Sequence, residues 1–156
     1  MDIIRKFYGP DLNKIMKIWY DGNIQAHDFI DVSYWDRNYG YVSRLIPKTE
    51  VYVYEANGIV VGFIGVDNGY IEGLFVEEAY RGFGIGEKLL NYVIEEYEFI
   101  TLHVFENNRA AVTFYEKMGL RKREIEINED LGEVEYLMYY RRPKEEEDVR
   151  QESDFF

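Results

Sequence analysis

Six consecutive residues, Arg81-Gly82-Phe83-Gly84-Ile85-Gly86, join a strand-like segment, Tyr70 to Val76, to a helix-like one, Glu87 to Tyr97. At such a junction the first helical N–H groups lack intrahelical partners, and the helix dipole adds partial positive charge beside them. A phosphate or pyrophosphate can be held there mainly by backbone, because glycine lets the anion approach without a Cβ in the way. Arg81 and Lys88 flank the loop with positive charge. No Gly-Lys-Ser/Thr completes a P-loop, and Glu87 stands where a dinucleotide fingerprint needs its third glycine. The bare Arg-x-x-Gly-x-Gly pattern is weak, since glycine is common, so the surrounding residues must supply its meaning. Further along, Asn108, Ala111 and Tyr115 fall at i, i+3 and i+7 on one helix face, so the phenol can project beside a cleft lined by small side chains.

The chain has 156 residues, enough for one domain with a sizeable core, and 47% hydrophobic with 17% aromatic content fits a folded globule. It contains no cysteine, which excludes disulfides, thiolate metal sites and a cysteine nucleophile. No apolar run approaches the ~20 residues that span a bilayer, and the N-terminus lacks the apolar stretch of a signal peptide. The expectation is a cytoplasmic protein without membrane partners. The formal net charge is −12, of which residues 1–140 carry −10. Such an acidic body repels nucleic acid. It suits cationic acceptors such as amines, although acidity also serves solubility.

The elements that must position these residues follow from periodicity. Ile3 to Tyr8 reads as a strand; Gly9-Pro10-Asp11 then opens a helix striped by Leu12, Ile15, Met16, Ile18 and Trp19. Asp21-Gly22-Asn23 reads as its end, and a second helix spans roughly Ser33 to Leu45 before Pro47. Val51 to Glu55, Ile59 to Val66 and Tyr70 to Val76 form successive antiparallel strands across Asn57-Gly58 and Asn68-Gly69 turns. The loop, its helix and the strand Phe99 to Val104 make a βαβ unit, hence a parallel pair. Asn107-Asn108 can cap a helix through Lys117 that Gly119 ends, and Leu120 to Ile127 pairs with Val134 to Tyr140. The expected fold is α/β (α+β): a mixed twisted sheet of about seven strands flanked by four helices, one domain over residues 1–141 with a charged tail, 142–156.

This order, with Leu74-Phe75-Val76, the Arg81-x-x-Gly84-x-Gly86 loop and Asn107-Asn108-x-Ala110-x-x-x-Phe114-Tyr115-Glu116-Lys117-Met118-Gly119-Leu120, resembles the GNAT superfamily of acetyl-CoA-dependent N-acetyltransferases. Ile18-Trp19, Ala26-His27-Asp28-Phe29 and Asp130-Leu131-Gly132-Glu133 further resemble its YjaB-type bacterial subgroup. The resemblance implies a single-domain GNAT fold and direct acetyl transfer from acetyl-CoA to a primary amine, with no covalent enzyme intermediate. It implies cofactor contacts by Leu74, Phe75 and Val76, by backbone from Arg81 through Gly82, Phe83, Gly84, Ile85 and Gly86, and by Asn107, Ala111 and Tyr115. Asn107 is also explicable as a helix cap alone. A phenol with a pKa of ~10 suits protonation of a departing thiolate, which makes Tyr115 the expected acid. Glu72, on the strand expected beside the acetyl group, is the expected base; at an ordinary carboxylate pKa of ~4.3 it needs a raised pKa or a water relay, and otherwise binds the acceptor or solvent. His27, Phe29 and Trp35 lie where family members wall the acceptor pocket, and His103 lies on the strand facing the cleft; each histidine could instead be structural. Neither has companions at metal-ligand spacing, so no metal is expected. The expected acceptor is a small-molecule amine. The alternatives are a protein N-terminus or lysine, or a non-catalytic acyl-CoA-binding module. Exposed aromatics between Phe114 and Tyr140 would permit a homodimer.

Overall fold

The structure, a computed structural model, describes residues 1–143. The elements are β1 (Asp2–Lys6), α1 (Leu12–Ala26), α2 (Val32–Leu45), β2 (Glu50–Ala56), β3 (Ile59–Asp67), β4 (Tyr70–Val76), α3 (Ile85–Ile94), β5 (Phe99–Phe105), α4 (Arg109–Lys117), β6 (Arg121–Ile127) and β7 (Val134–Arg141). Their order is the expected one. The charged run Lys144-Glu145-Glu146-Glu147-Asp148, expected to be a solvated tail, lies outside the described residues.

One seven-stranded sheet runs β1-β2-β3-β4-β5-β7-β6. Its neighbours are antiparallel except β4 and β5, which are parallel, as the α3 crossover between them requires. Strand alternation divides the buried side chains between two faces. On one face Ile64, Ile71, Ile100 and Met138 of the sheet pack against Leu89 and Leu90 of α3 and Val112 of α4. On the other, Val53 and Phe63 pack against Ile15, Met16 and Trp19 of α1 and Trp35 of α2. Each fully buried aliphatic chain contributes roughly 1.5–3 kcal/mol over its exposed state.

One boundary departs from the sequence reading: α1 does not end at Asp21-Gly22-Asn23 but continues to Ala26. Gly22 is there for packing, because a Cβ on it would stand 2.8 Å from Cδ1 of Phe75. Buried Asn23 donates its side-chain amide to the Trp19 carbonyl at 2.9 Å, so its polar group is satisfied inside the helix.

The β4–β5 junction controls the rest. Their ladder has a single pair, Tyr70 with Thr101, reinforced by the Thr101 N–H donating to the Gly69 carbonyl at 3.0 Å. Beyond it the strands part. Gly69 adopts φ +90° in the turn after Asn68, and a Cβ there would meet the Phe99 carbonyl oxygen at 2.9 Å. We expect Gly69→Ala to lower stability by about 2 kcal/mol, moving the thermal midpoint down by roughly 5 °C in a melting experiment. An unchanged midpoint would show that the junction tolerates displacement.

Candidate active site

Along β3 and β4 the register passes from Gly65 opposite Gly73 to Val66 opposite Ile71, which leaves Glu72 as the extra residue of a β-bulge. The Cβ of Glu72 lies 3.7 Å from where a Gly65 Cβ would stand, beside Val51 of the α1/α2 core, so Glu72 faces that side of the sheet. Its side chain is exposed at the rim. Partial burial raises its pKa above the ordinary carboxylate value, and the charge of Asp67 adds to the shift. Among the described residues it is the one carboxyl with a resolved upward shift.

Leu74 and Val76 turn toward the α3/α4 face, whereas the Phe75 ring belongs to the opposite core and stacks on Phe63 at 5.4 Å. Of the three expected cofactor residues, Phe75 can therefore contribute only its backbone on the cofactor side. Ile85 is likewise 5% exposed and packed in the core, so its available group is also the main chain.

In the loop, Gly82 and Gly84 have φ of +85° and +81°, and a Cβ on either would meet nothing within 4 Å. Glycine is demanded there by conformation and leaves the loop amides open to an anion. Phe83 is exposed. Gly86 lies close to α4, since a Cβ on it would be 3.6 Å from Cζ of Phe114. Arg81 is held beside the loop by two neutral acceptors, which orient its guanidinium and leave its positive charge in place. Its Nε donates to the Val76 carbonyl at 2.9 Å and its Nη2 to Gln25 Oε1 at 2.9 Å, tying the loop to α1. A cavity of about 430 Å³ adjoins it, lined by Lys17, Asp21, Gly22, Gln25 and Glu77.

Asn107 is exposed, and the cap of α4 is Asn108, whose Oδ1 accepts the Ala111 N–H at 3.2 Å. Ala111 and Tyr115 both pack at the edge of the α3/α4 core. Burial alone pushes the Tyr115 phenol well above its ordinary pKa, which keeps its proton in place.

The two histidines, both candidate acceptor contacts in the sequence, have opposite environments. His27 is 9% exposed, stacked on Trp35 at 5.4 Å and edged by Phe29 and Phe105. Because Asn108 Oδ1 is committed to Ala111, its Nδ2 donates to His27 Nε2 at 3.1 Å, which puts the ring proton on Nδ1. Burial lowers the pKa of His27 to about 4, the Asn23 carbonyl offsetting part of the effect. His27 thus bridges α1 to the cap of α4 as a neutral packing group and not as an open acceptor contact. Trp35 is also core, 6% exposed. Half-buried Phe29, with Tyr34, Phe105 and Leu131, remains as the apolar rim.

His103, by contrast, is exposed on the face that α1 and α2 leave open. Its Nδ1 lies 2.8 Å from Tyr70 Oη and its Nε2 3.1 Å from Glu126 Oε2. The sequence shows no metal-ligand spacing, yet the fold draws ligand atoms of His103, Glu126 and Glu135 within 4.8 Å of one another. Tyr70, Glu126 and Glu135 escape a sequence reading because they reach His103 through the β4-β5-β7-β6 strand order, in which β7 lies between β5 and β6.

Parted strands, open loop amides and a buried phenol are the features an acyl-CoA-dependent acyltransferase would need at its site. The chain belongs to the acetyltransferase (GNAT) family, whose model matches residues 12–120. An uncharacterized N-acetyltransferase, MJ1530 of Methanocaldococcus jannaschii, is 34% identical over 155 residues, covering 90% of this chain and 92% of the relative. The peptidyl-lysine N-acetyltransferase YjaB of Salmonella typhimurium is 29% identical over 130 residues, covering 83% of this chain and 90% of the relative. The apo solution structure of Escherichia coli YjaB shares the fold with a TM-score of 0.82 at 23% identity, covering 92% of this chain and 99% of that one. The chain is an acetyl-CoA-dependent N-acetyltransferase and is similar to the YjaB-type members of the family. Among the described residues no helix is long and apolar enough to cross a membrane.

The buried neutral His27 has a consequence for stability. Unfolded, an imidazole titrates near 6.5; folded, this one titrates at about 4, so between those values the unfolded chain binds more protons. Stability should therefore fall as pH drops through that window, by roughly 3 kcal/mol in total. Urea unfolding at pH 7, 5.5 and 4 should show this component in the native chain and lack it in His27→Gln.

Proposed function

We propose that the protein acetylates the ε-amine of lysine side chains in other proteins. The observation that carries this reading is the open, carboxylate-lined face at the β4–β5 junction, where Glu72, Glu126 and Glu135 all lie near the Tyr70 hydroxyl. A cationic ammonium is attracted there, and an exposed face admits an amine still attached to a protein surface. The Salmonella typhimurium relative YjaB, a peptidyl-lysine N-acetyltransferase, supports the same substrate class. A small-molecule amine would meet the same carboxylates and is the comparison arm of the test.

Bound acetyl-CoA supplies the activated acetyl thioester. The groups available to hold it are the amides of residues 81–86, the edge of β4 released by the parting of β5, and Asn107 at the start of α4. A backbone N–H within Leu74 to Val76 is placed to stabilise charge developing on the acetyl oxygen. A lysine amine of pKa ~10.4 is neutral in only about one molecule in a few thousand at pH 7, so a proton acceptor accelerates attack. Glu72 takes that role, its raised pKa making it a better base than an ordinary carboxylate. Tyr115, kept protonated by burial, donates from Oη to the departing thiolate.

Tyr115→Phe should lower kcat about tenfold or more while calorimetric affinity for acetyl-CoA stays the same. Glu72→Gln should lower kcat for a lysine peptide at pH 7 with a smaller deficit at pH 9. Thiol release measures both. Unchanged turnover in Tyr115→Phe removes its acid role, and faster turnover of small amines than of peptides reverses the substrate assignment.

A further inference from the structure

Tyr70, His103 and Glu126 come from three strands and form one hydrogen-bonded chain. A carboxylate only accepts, so His103 Nε2 carries the proton toward Glu126 at 3.1 Å, and Nδ1 accepts from the Tyr70 hydroxyl at 2.8 Å. The ring's tautomer and orientation are thereby set from both sides. Around it stand Tyr70 and Glu72 of β4, Glu124 and Glu126 of β6, and Glu135 and Tyr139 of β7. The Tyr70 phenol is pushed up to about 12 by burial, with Glu72, Glu135 and Glu126 adding to it, so this hydroxyl passes a proton on more readily than it stays ionised. The inner end of the chain lies at the β4–β5 pair where the strands part; the outer end, His103 and Glu126, reaches solvent.

The reaction creates a need for such a route. Conversion of an ammonium and an acetyl thioester to an amide and a thiol forms the C–N bond, breaks the C–S bond and releases one net proton. The nitrogen loses two protons, the thiolate takes one from Tyr115, and the Tyr115 phenolate is restored by one proton from water, which leaves a net release of one. Glu72 can hold one proton at a time, so the other must travel to bulk water.

We propose that Tyr70, His103 and Glu126 are the proton exit of the active site, with Tyr70 touching the amine and His103 and Glu126 acting through it as positioning residues. The nitrogen gives a proton to Tyr70 Oη as that hydroxyl gives its own to His103 Nδ1. The imidazolium, held between Tyr70 and the Glu126 carboxylate, then releases a proton to water as the original hydrogen bonds re-form. Histidine is the side chain suited to shuttling protons near neutral pH. The proposal rests on an amine acceptor at this face, whichever molecule carries it.

The test compares the native protein with His103→Gln, Glu126→Gln and Tyr70→Phe, assaying thiol release from pH 6 to 10 with a lysine peptide and, in parallel, with butylamine. His103→Gln should lower kcat about tenfold or more at pH 7 with acetyl-CoA affinity unchanged. The deficit should shrink toward pH 10, where the amine sheds its own proton, and added imidazole should restore part of the rate. In the free protein, ring 15N shifts should report His103 with Nδ1 unprotonated and Nε2 protonated, a preference weakened in Tyr70→Phe. Full activity in His103→Gln, a loss that is equal at every pH and unmoved by imidazole, or a ring protonated on Nδ1 overturns the proposal. Turnover of butylamine without the peptide sinks the lysine reading while the relay stands or falls on butylamine; turnover of neither overturns both.

Discussion

Two parallel strands that join at a single residue pair and then separate leave one edge of β4 without a strand partner, and the candidate active site is built around that edge. Backbone N–H and C=O groups inside a sheet demand partners, so a vacant edge in the middle of seven strands is a place for a ligand that can supply them. The separation persists because each strand has its own attachments. β4 is held by β3 and by the α3/α4 core, while β5 is held by a seven-pair ladder to β7. The turn at Gly69 pins the closed end, and the glycine loop lies at the other.

The same junction organises the chemistry. The bulge at Glu72 adds one residue to β4 just after the joined pair and turns a carboxylate toward the α1/α2 side. On the opposite face, α4 carries Tyr115 into the edge of the α3/α4 core, where burial favours the neutral phenol. Acid and base candidates are thus set on different faces of the sheet, with an environment that raises both pKa values. The His27–Asn108 hydrogen bond links the end of α1 to the start of α4. Through it the helices expected to wall the acceptor are mechanically connected to the helix bearing the phenol.

Much of this was legible in the chain. The strand and helix order, the parallel pair and the asparagine cap of α4 follow from periodicity, turn dipeptides and capping chemistry, which are local and survive in any tertiary context. Local signals misled where long-range packing replaced them. Asp21-Gly22-Asn23 has the composition of a helix end, but Phe75, some fifty residues away, needs the space that Gly22 provides. Arg81 reads in the chain only as a charge flanking three glycines, and it takes the fold to show that Gln25 and the Val76 carbonyl orient its guanidinium.

The sequence alone therefore determined the fold class, the glycine loop and the placing of Ala111 and Tyr115 on one face of α4 behind an asparagine cap, because each depends on neighbours within a few residues. Only the tertiary structure decided which histidine is buried and which is open, that Glu72 sits on a bulge, and that Tyr70, His103 and Glu126 meet. Those outcomes depend on strand register and on a strand order that departs from chain order, so residues 33 and 23 positions apart become hydrogen-bonded neighbours.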